Sequence, residues 1–242
     1  MGKIIIVGIG PGEKIQMTER AIESLKMADC IVGYSGYVNL LGDQFSEKEV
    51  LSTGMRQEVD RCRLCFEKAI KGQVVALVCS GDAGVYGMAS LVYELAEGYE
   101  PVEIEVVAGV TAAASGAAVL GAPINHDFCT ISLSDLLTPW ETIEKRIRAA
   151  VAGDFVIVLY NPSSHKRADY LQKACHIAME SISYDRACGY VKNIGREDTF
   201  AWTGTLEELS RQSVDMFTTC YIGNSQSFIR EGKLITPRGY KK

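Results

Sequence analysis

Three short glycine turns, Gly8-Ile9-Gly10-Pro11-Gly12, Ser80-Gly81-Asp82-Ala83-Gly84 and Ala108-Gly109-Val110-Thr111-Ala112, each follow a β-branched apolar run and precede a helix-like segment. Repetition of that unit predicts an α/β fold. In such sheets the ligand crevice lies at the carboxyl ends of the strands, where three glycine turns can bring backbone to one small molecule. With 242 residues, 47% of them hydrophobic and 23% charged, the chain is long enough for one large or two medium domains, and two are expected. Its net charge of -5 leaves no basic field, and no Lys/Arg run is longer than a pair such as the terminal Lys241-Lys242, so nucleic acid is not an expected partner.

The start Met1-Gly2-Lys3-Ile4-Ile5-Ile6-Val7 holds about four consecutive apolar residues before a glycine turn, too few for the core of a signal peptide. It reads as a buried first strand. No apolar run approaches the roughly 20 residues of a membrane helix, so a cytoplasmic protein with no membrane partner is expected. The eight cysteines lie mostly inside apolar segments, where a reduced thiol packs as a small hydrophobe. Only Cys62-Arg63-Leu64-Cys65 has metal-like or redox-like spacing, and a tetrahedral zinc site would need a second pair, so no metal is expected.

Hydrophobic periodicity predicts strands over 3–7, 30–32, 74–79 and 102–107, with helices over 18–28, 56–71 and 111–120. The last of these helices is built almost wholly of small residues, which lets it lie close to a sheet or a ligand. Gly121-Ala122-Pro123-Ile124-Asn125 is punctuation, and it divides the chain into an amino-terminal α/β domain, 1–124, and a carboxyl-terminal one, 125–242. In the second, strands are predicted over 129–133, 155–160, 187–191 and 217–222, with helices over 140–152 and 168–179. Such alternation implies mostly parallel strands in each half.

The glycine turns fail the dinucleotide fingerprint. After Gly8 and Gly10 the third glycine comes one position early, at Gly12, and the second strand ends Val32-Gly33-Tyr34 with no carboxylate for a ribose. A Walker loop is excluded because no Gly-Lys-Ser/Thr occurs. Pro11 between two glycines makes a stiff turn with few free amides, poorly suited to pyrophosphate. A nucleoside without phosphates fits better. S-adenosyl-L-methionine is such a ligand, and Ser80, Asp82 and Thr111 offer it polar partners.

In order and spacing, Gly8-x-Gly10-Pro11-Gly12 with Met17-Thr18, Ser80-Gly81-Asp82, and Gly109-Val110-Thr111-Ala112-Ala113 resemble the tetrapyrrole methylases, and the likeness runs from Ile4 to Tyr240. Within that superfamily, Ser52-Thr53-Gly54-Met55-Arg56, His126-Asp127-Phe128, Ser132 to Trp140, Leu159-Tyr160-Asn161-Pro162, Lys192 to Glu197 and Ile235 to Tyr240 resemble the C17-methylating, ring-contracting branch of cobalamin biosynthesis. The resemblance implies a homodimer of chains with two α/β domains and an active-site trough between them. It also implies methyl transfer from S-adenosylmethionine to C17 of precorrin-3B or its cobalt-bearing counterpart. By position, cofactor contacts fall on Pro11, Ser80, Gly81, Asp82, Val85, Thr111 and Ala112, with Tyr160, Asn161 and Ile194 in the second half. Ala83 and Ala108 stand where the family commonly has proline, which leaves those turns less pre-organised.

Methyl transfer from a sulfonium rests mainly on positioning and exclusion of water, whereas ring contraction also needs a placed acid or base. His126, Asp127 and Asp135 are the candidates, each with a plain structural alternative as a strand-end or cap residue. A substrate rich in acetate and propionate arms needs local cations in a net acidic chain. Arg56, Lys192, Arg196 and Arg238 are available for substrate binding with Ser134, and Lys166 and Arg167 lie beside them. Other readings stay open: a C11 or C20 corrin methylase, a methylase acting on a modified histidine of a translation factor, a metal-tetrapyrrole carrier using Cys62 and Cys65, and a nicotinamide dehydrogenase.

Overall fold

The computed structural model describes residues 2–164 and 167–240. They form two units, Met1–Ala112 and Ala113–Lys242. In the first, strand and helix alternate: β1 (Lys3–Gly8), α1 (Glu19–Met27), β2 (Cys30–Tyr34), the short α2 (Ser35–Val38), β3 (Glu49–Thr53), α3 (Glu58–Ala69), β4 (Val74–Cys79), α4 (Ala89–Ala96) and β5 (Glu103–Val107). The sheet order is β3-β2-β4-β1-β5, and every pairing in it is parallel.

A parallel sheet is covered on both faces, so its strands must be apolar at successive positions. Period-two alternation then sends Ile4, Ile6, Val75 and Leu77 into one layer with Cys62, Cys65 and Phe66 of α3. Ile5, Val7, Ala76 and Val78 go to the other, against Ala21 and Leu25 of α1. Thr18 starts α1 as its position predicts, its Oγ1 accepting the Ala21 N–H at 3.1 Å, a cap whose loss costs about 1 kcal/mol. β3 is absent from the periodicity because it is an edge strand, with Glu49, Val50 and Ser52 exposed.

The second unit comprises α5 (Ala112–Leu120), β6 (Gly121–Ala122), β7 (Phe128–Ser132), α6 (Trp140–Ala152), β8 (Val156–Tyr160), α7 (Tyr170–Met179), β9 (Ala187–Lys192), β10 (Phe200–Thr205), α8 (Leu206–Ser210), β11 (Thr218–Ile222), β12 (Phe228–Arg230) and β13 (Lys233–Ile235). Its main sheet has the order β10-β9-β11-β8-β7. The expectation of mostly parallel strands fails here. β7 and β8 are parallel, but β11 runs antiparallel to both β8 and β9, and β10 antiparallel to β9. The cause is connection length: 193–199 is too short for a crossover helix, so β10 must turn back along β9. β7, β8 and β9 therefore point one way, and their carboxyl ends share one edge.

The turn at Gly121–Asn125, where the domain boundary is expected, lies inside the second unit. β6 in that turn pairs with β13. Upstream, α5 is fastened to the second sheet through Tyr221, whose Oη donates to the Ala113 carbonyl at 3.0 Å. Gly116 makes room for that ring, since a Cβ there would lie 2.4 Å from the Tyr221 oxygen.

Candidate functional site

The three glycine turns follow β1, β4 and β5, which are neighbours in the sheet, so all three meet at one edge of the first unit. Gly10 and Gly81 exchange both backbone hydrogen bonds, N–H to O at 3.0 and 2.7 Å, from left-handed φ values of 73° and 68°. The first and third turns touch as closely. A Cβ on Gly8 would lie 2.6 Å from the Gly109 nitrogen, and one on Gly109 2.2 Å from the Gly81 oxygen. The glycines are therefore required by one another: each removes the atom that would hold two turns apart.

One side chain locks this backbone cluster. The Asp82 carboxylate accepts from Gly84 N–H at 2.8 Å and Val85 N–H at 3.0 Å through Oδ1, and from Gly109 N–H at 2.9 Å through Oδ2. Three of the roughly four acceptor positions of a carboxylate are thereby taken, so Asp82 serves first to bind the second turn to the third. Around it Pro11 and Gly81 are buried, while Ser80, Val85, Thr111 and Ala112 are half-buried. The expected first-unit cofactor residues thus gather at one edge.

Arg56 lies elsewhere, beyond β3 at the sheet's outer end. It is exposed and has a left-handed φ of 64°. Its loop is held by residues that sequence reasoning missed. Gln57 Oε1 accepts from Gly54 N–H at 2.6 Å, and Arg61, only 4% exposed, donates to Thr53 Oγ1 at 2.8 Å and to the Gly54 carbonyl at 3.0 Å. A charged residue on the buried face of α3 is the one signal that could have found Arg61.

The second unit assembles its edge from side chains. After β7, Asp135 receives Arg167 Nε at 2.9 Å and Tyr170 Oη at 2.5 Å, and Arg167 Nη1 donates to Ser134 Oγ at 3.0 Å. Holding that hydrogen bond to a carboxylate raises the Tyr170 phenol above its ordinary range. Arg167 is thus committed to the Ser134–Asp135 loop, and Lys166 lies outside the described residues. After β8, Tyr160 Oη accepts the Ala113 N–H at 2.7 Å, and Asn161, at φ 52°, donates to Ser132 Oγ at 3.0 Å. β9 ends at Lys192, which pairs with Asp215 at 2.7 Å, an ion pair that raises the lysine pKa, and Ile194 just beyond it is buried. Arg196 rests on the Phe217 ring, 4.9 Å from its centroid.

His126 and Asp127 precede β7, whereas Asp135 follows it. A five-residue strand separates its ends by roughly 13 Å, so the three acid-base candidates are not brought together. His126 and Asp127 line an open cavity of about 430 Å³ with Ile124, Asn125 and Arg238. His126 Nδ1 accepts the Asp127 N–H at 2.8 Å, which leaves Nε2 to carry the proton of the neutral ring.

Residues 3–210 match the family model of tetrapyrrole (corrin/porphyrin) methylases. The chain belongs to that family. Similar to this methylase is a probable cobalt-factor III C(17)-methyltransferase of Salmonella typhimurium, 46% identical over 236 residues, a match covering 97% of this chain and 98% of that protein. A precorrin-3B C(17)-methyltransferase of a Sinorhizobium species is 36% identical, with 99% and 97% covered. The crystal structure of the methyltransferase CobJ matches with a TM-score of 0.91 at 33% identity, covering 98% of this chain and 100% of that one.

Two features singled out in the sequence of this methylase, Ala83 and the Cys62–Cys65 pair, find a place in the fold. Ala83 is fully buried, and its carbonyl accepts the Ala89 N–H at 3.1 Å, so packing and that hydrogen bond hold the turn without a proline. Cys62 and Cys65 lie fully buried on the inner face of α3, with the Cys65 thiol donating to the Arg61 carbonyl at 3.3 Å. Burial pushes the Cys62 thiol up to about 12 and Cys65 well above its ordinary value. Both pack as small apolar side chains with little thiolate to offer.

Proposed function

We propose that this methylase transfers the methyl group of S-adenosylmethionine to C17 of cobalt-factor III, with contraction of the ring, in cobalamin biosynthesis. The observation that carries the reading is the triple glycine edge of the first unit in a chain similar over its whole length to C17-methyltransferases. Higher identity to the cobalt-factor III relative than to the precorrin-3B one favours the cobalt-bearing substrate.

The edge fits the donor on its own chemistry. None of the three turns contains Lys or Arg. A ligand without phosphates is therefore suited to it, recognised through backbone groups, Ser80 and Thr111. When bound, the sulfonium supplies an electrophilic methyl. The residues of the chain supply the rest: Asp82 holds two turns in register, and Pro11, Gly81, Val85 and Ala112 form the surrounding wall. Ser134, Arg196 and Arg238 are the second-unit residues proposed for the acidic arms of the tetrapyrrole, with Arg56 from the first, while Lys192 is held by Asp215. His126 Nε2, beside Arg238, is the nitrogen proposed to move a proton, because Asp135 is already held by Arg167 and Tyr170.

Incubation with S-adenosylmethionine and cobalt-factor III, or precorrin-3B, followed by NMR of the product tests this directly. A C17-methylated, contracted ring is expected. Methylation at C11 or C20 would move the chain to another branch of its family, and no transfer to either tetrapyrrole would overturn the reading. A homodimer in the cytoplasm belongs to the same proposal, its assembly read by light scattering. Among the described residues, no helix is long and apolar enough to cross a membrane.

A further inference from the structure

We propose that Arg196 forms a dedicated carboxylate subsite, taking one acetate or propionate arm of the substrate through the Nε edge of its guanidinium. The inference rests on the tetrapyrrole reading above. The candidate cations differ in what already occupies them. Arg167 spends its donors on Asp135 and Ser134, and Lys192 is neutralised by Asp215. Arg56 stands exposed beyond β3, and Arg238 faces the cavity beside His126.

Arg196 differs from all four. Among the described residues its Nε–H is sealed from solvent and has no acceptor, and no carboxylate pairs with the guanidinium. The group lies instead over the Phe217 ring. The orphan donor sits in a loop whose backbone is held tightly. Arg196 N–H donates to the Asn193 carbonyl and to Thr199 Oγ1, both at 3.1 Å, and its own carbonyl accepts from Thr199 Oγ1 at 2.6 Å. Asn193 Nδ2 in turn donates to Asp198 at 2.6 Å, and Asn193 and Gly195 take left-handed φ values of 51° and 69°. A loop so constrained, with one strong donor left unmatched, is built to complete its hydrogen bonding with something the free chain does not contain.

A guanidinium presents Nε–H and one Nη–H along a single edge, a fork that matches both oxygens of a carboxylate. The Nε end of that edge is sealed in the free chain, so the side chain must turn off Phe217 to present the whole fork. The ring holds the charge ready until an arm arrives.

The test measures binding of cobalt-factor III by tryptophan quenching in the presence of S-adenosylhomocysteine, for wild type, Arg196→Lys and Arg196→Met. Both variants are expected to bind the tetrapyrrole about tenfold or more weakly, the size of one charge-assisted hydrogen-bonded contact, because lysine keeps the charge but lacks the fork. Affinity for S-adenosylhomocysteine and the thermal midpoint should stay at wild-type values, which separates loss of a subsite from loss of folding. Conversion of the carboxylates of cobalt-factor III to methyl esters should weaken wild type and leave Arg196→Met with no further loss from this arm. Wild-type affinity in Arg196→Lys, or in both variants, would overturn the subsite. Failure of wild type to methylate cobalt-factor III would instead count against the broader reading, and it is scored separately by product NMR.

Discussion

The two sheet edges are made of different material. At the first, three turns pack backbone on backbone, and one carboxylate, Asp82, ties them. At the second, the equivalent ends of β7, β8 and β9 carry separate side-chain networks, Asp135 with Arg167 and Tyr170, Asn161 with Ser132, and Lys192 with Asp215. A backbone-built edge tolerates almost no added atom, whereas a side-chain edge can lose one network and keep the next. The first should therefore fail all at once and the second piece by piece.

The largest effect is expected at Gly109. Its Cβ in Gly109→Ala would lie 2.2 Å from the Gly81 oxygen, so the turns must separate, with destabilisation of about 3 kcal/mol and loss of S-adenosylhomocysteine binding by calorimetry. Gly98→Ala, whose Cβ would meet only the Leu95 oxygen at 3.5 Å, should keep that binding. Equal affinity in the two variants would break the comparison. Next comes Asp82→Asn, which cannot accept all three amides. It should weaken donor binding about tenfold and lower stability by about 1 to 3 kcal/mol.

Asp135→Asn sharpens the contrast from the other side. It loosens Arg167 and Tyr170, and should raise the KM for the tetrapyrrole several-fold while leaving the affinity for S-adenosylhomocysteine unchanged. A matching loss of donor affinity would show that the networks are not separable. Thiol chemistry reads the packing behind both edges. Seven of the eight cysteines are buried and Cys129 is half-buried, and burial raises Cys62 and Cys175 to about 12 and Cys79 to about 11. Titration with a disulfide reagent at pH 8 should therefore modify no more than Cys129 in the native chain and all eight cysteines in denaturant.

The smallest effect is electrostatic. Glu105 on β5 takes hydrogen bonds from Lys3 and Arg20, which hold its carboxyl below the ordinary 4.5. A depressed folded pKa gives stability that is fully present above the unfolded value and is lost as pH falls through the folded one. Glu105→Gln should thus cost about 0.5 kcal/mol at pH 7, and the gap from wild type should close below pH 4.5 in urea melts.

Legibility in the sequence followed the same division. β1 and β4 are buried on both faces, so their apolar runs are unbroken, and glycine at the end of each announces a turn that only glycine can make. The reversed strands were harder to see. β10 is half-exposed along its length, and the short link 193–199 is the one sign that the chain turns back. Side-chain partners were invisible for a different reason: Asp135 meets Tyr170 and Asp82 meets Gly109 across loops whose closure no local pattern records. His126 and Asp135, close in sequence, are held apart because a strand runs between them.

A structure of the chain crystallised with S-adenosylhomocysteine tests the central assignment most directly. Density for the nucleoside is expected against Gly8–Gly12, Ser80–Val85 and Ala108–Ala112, with adenine and ribose contacting backbone of those turns. Density for the nucleoside at any other place on the chain, with the three turns bare, would contradict it.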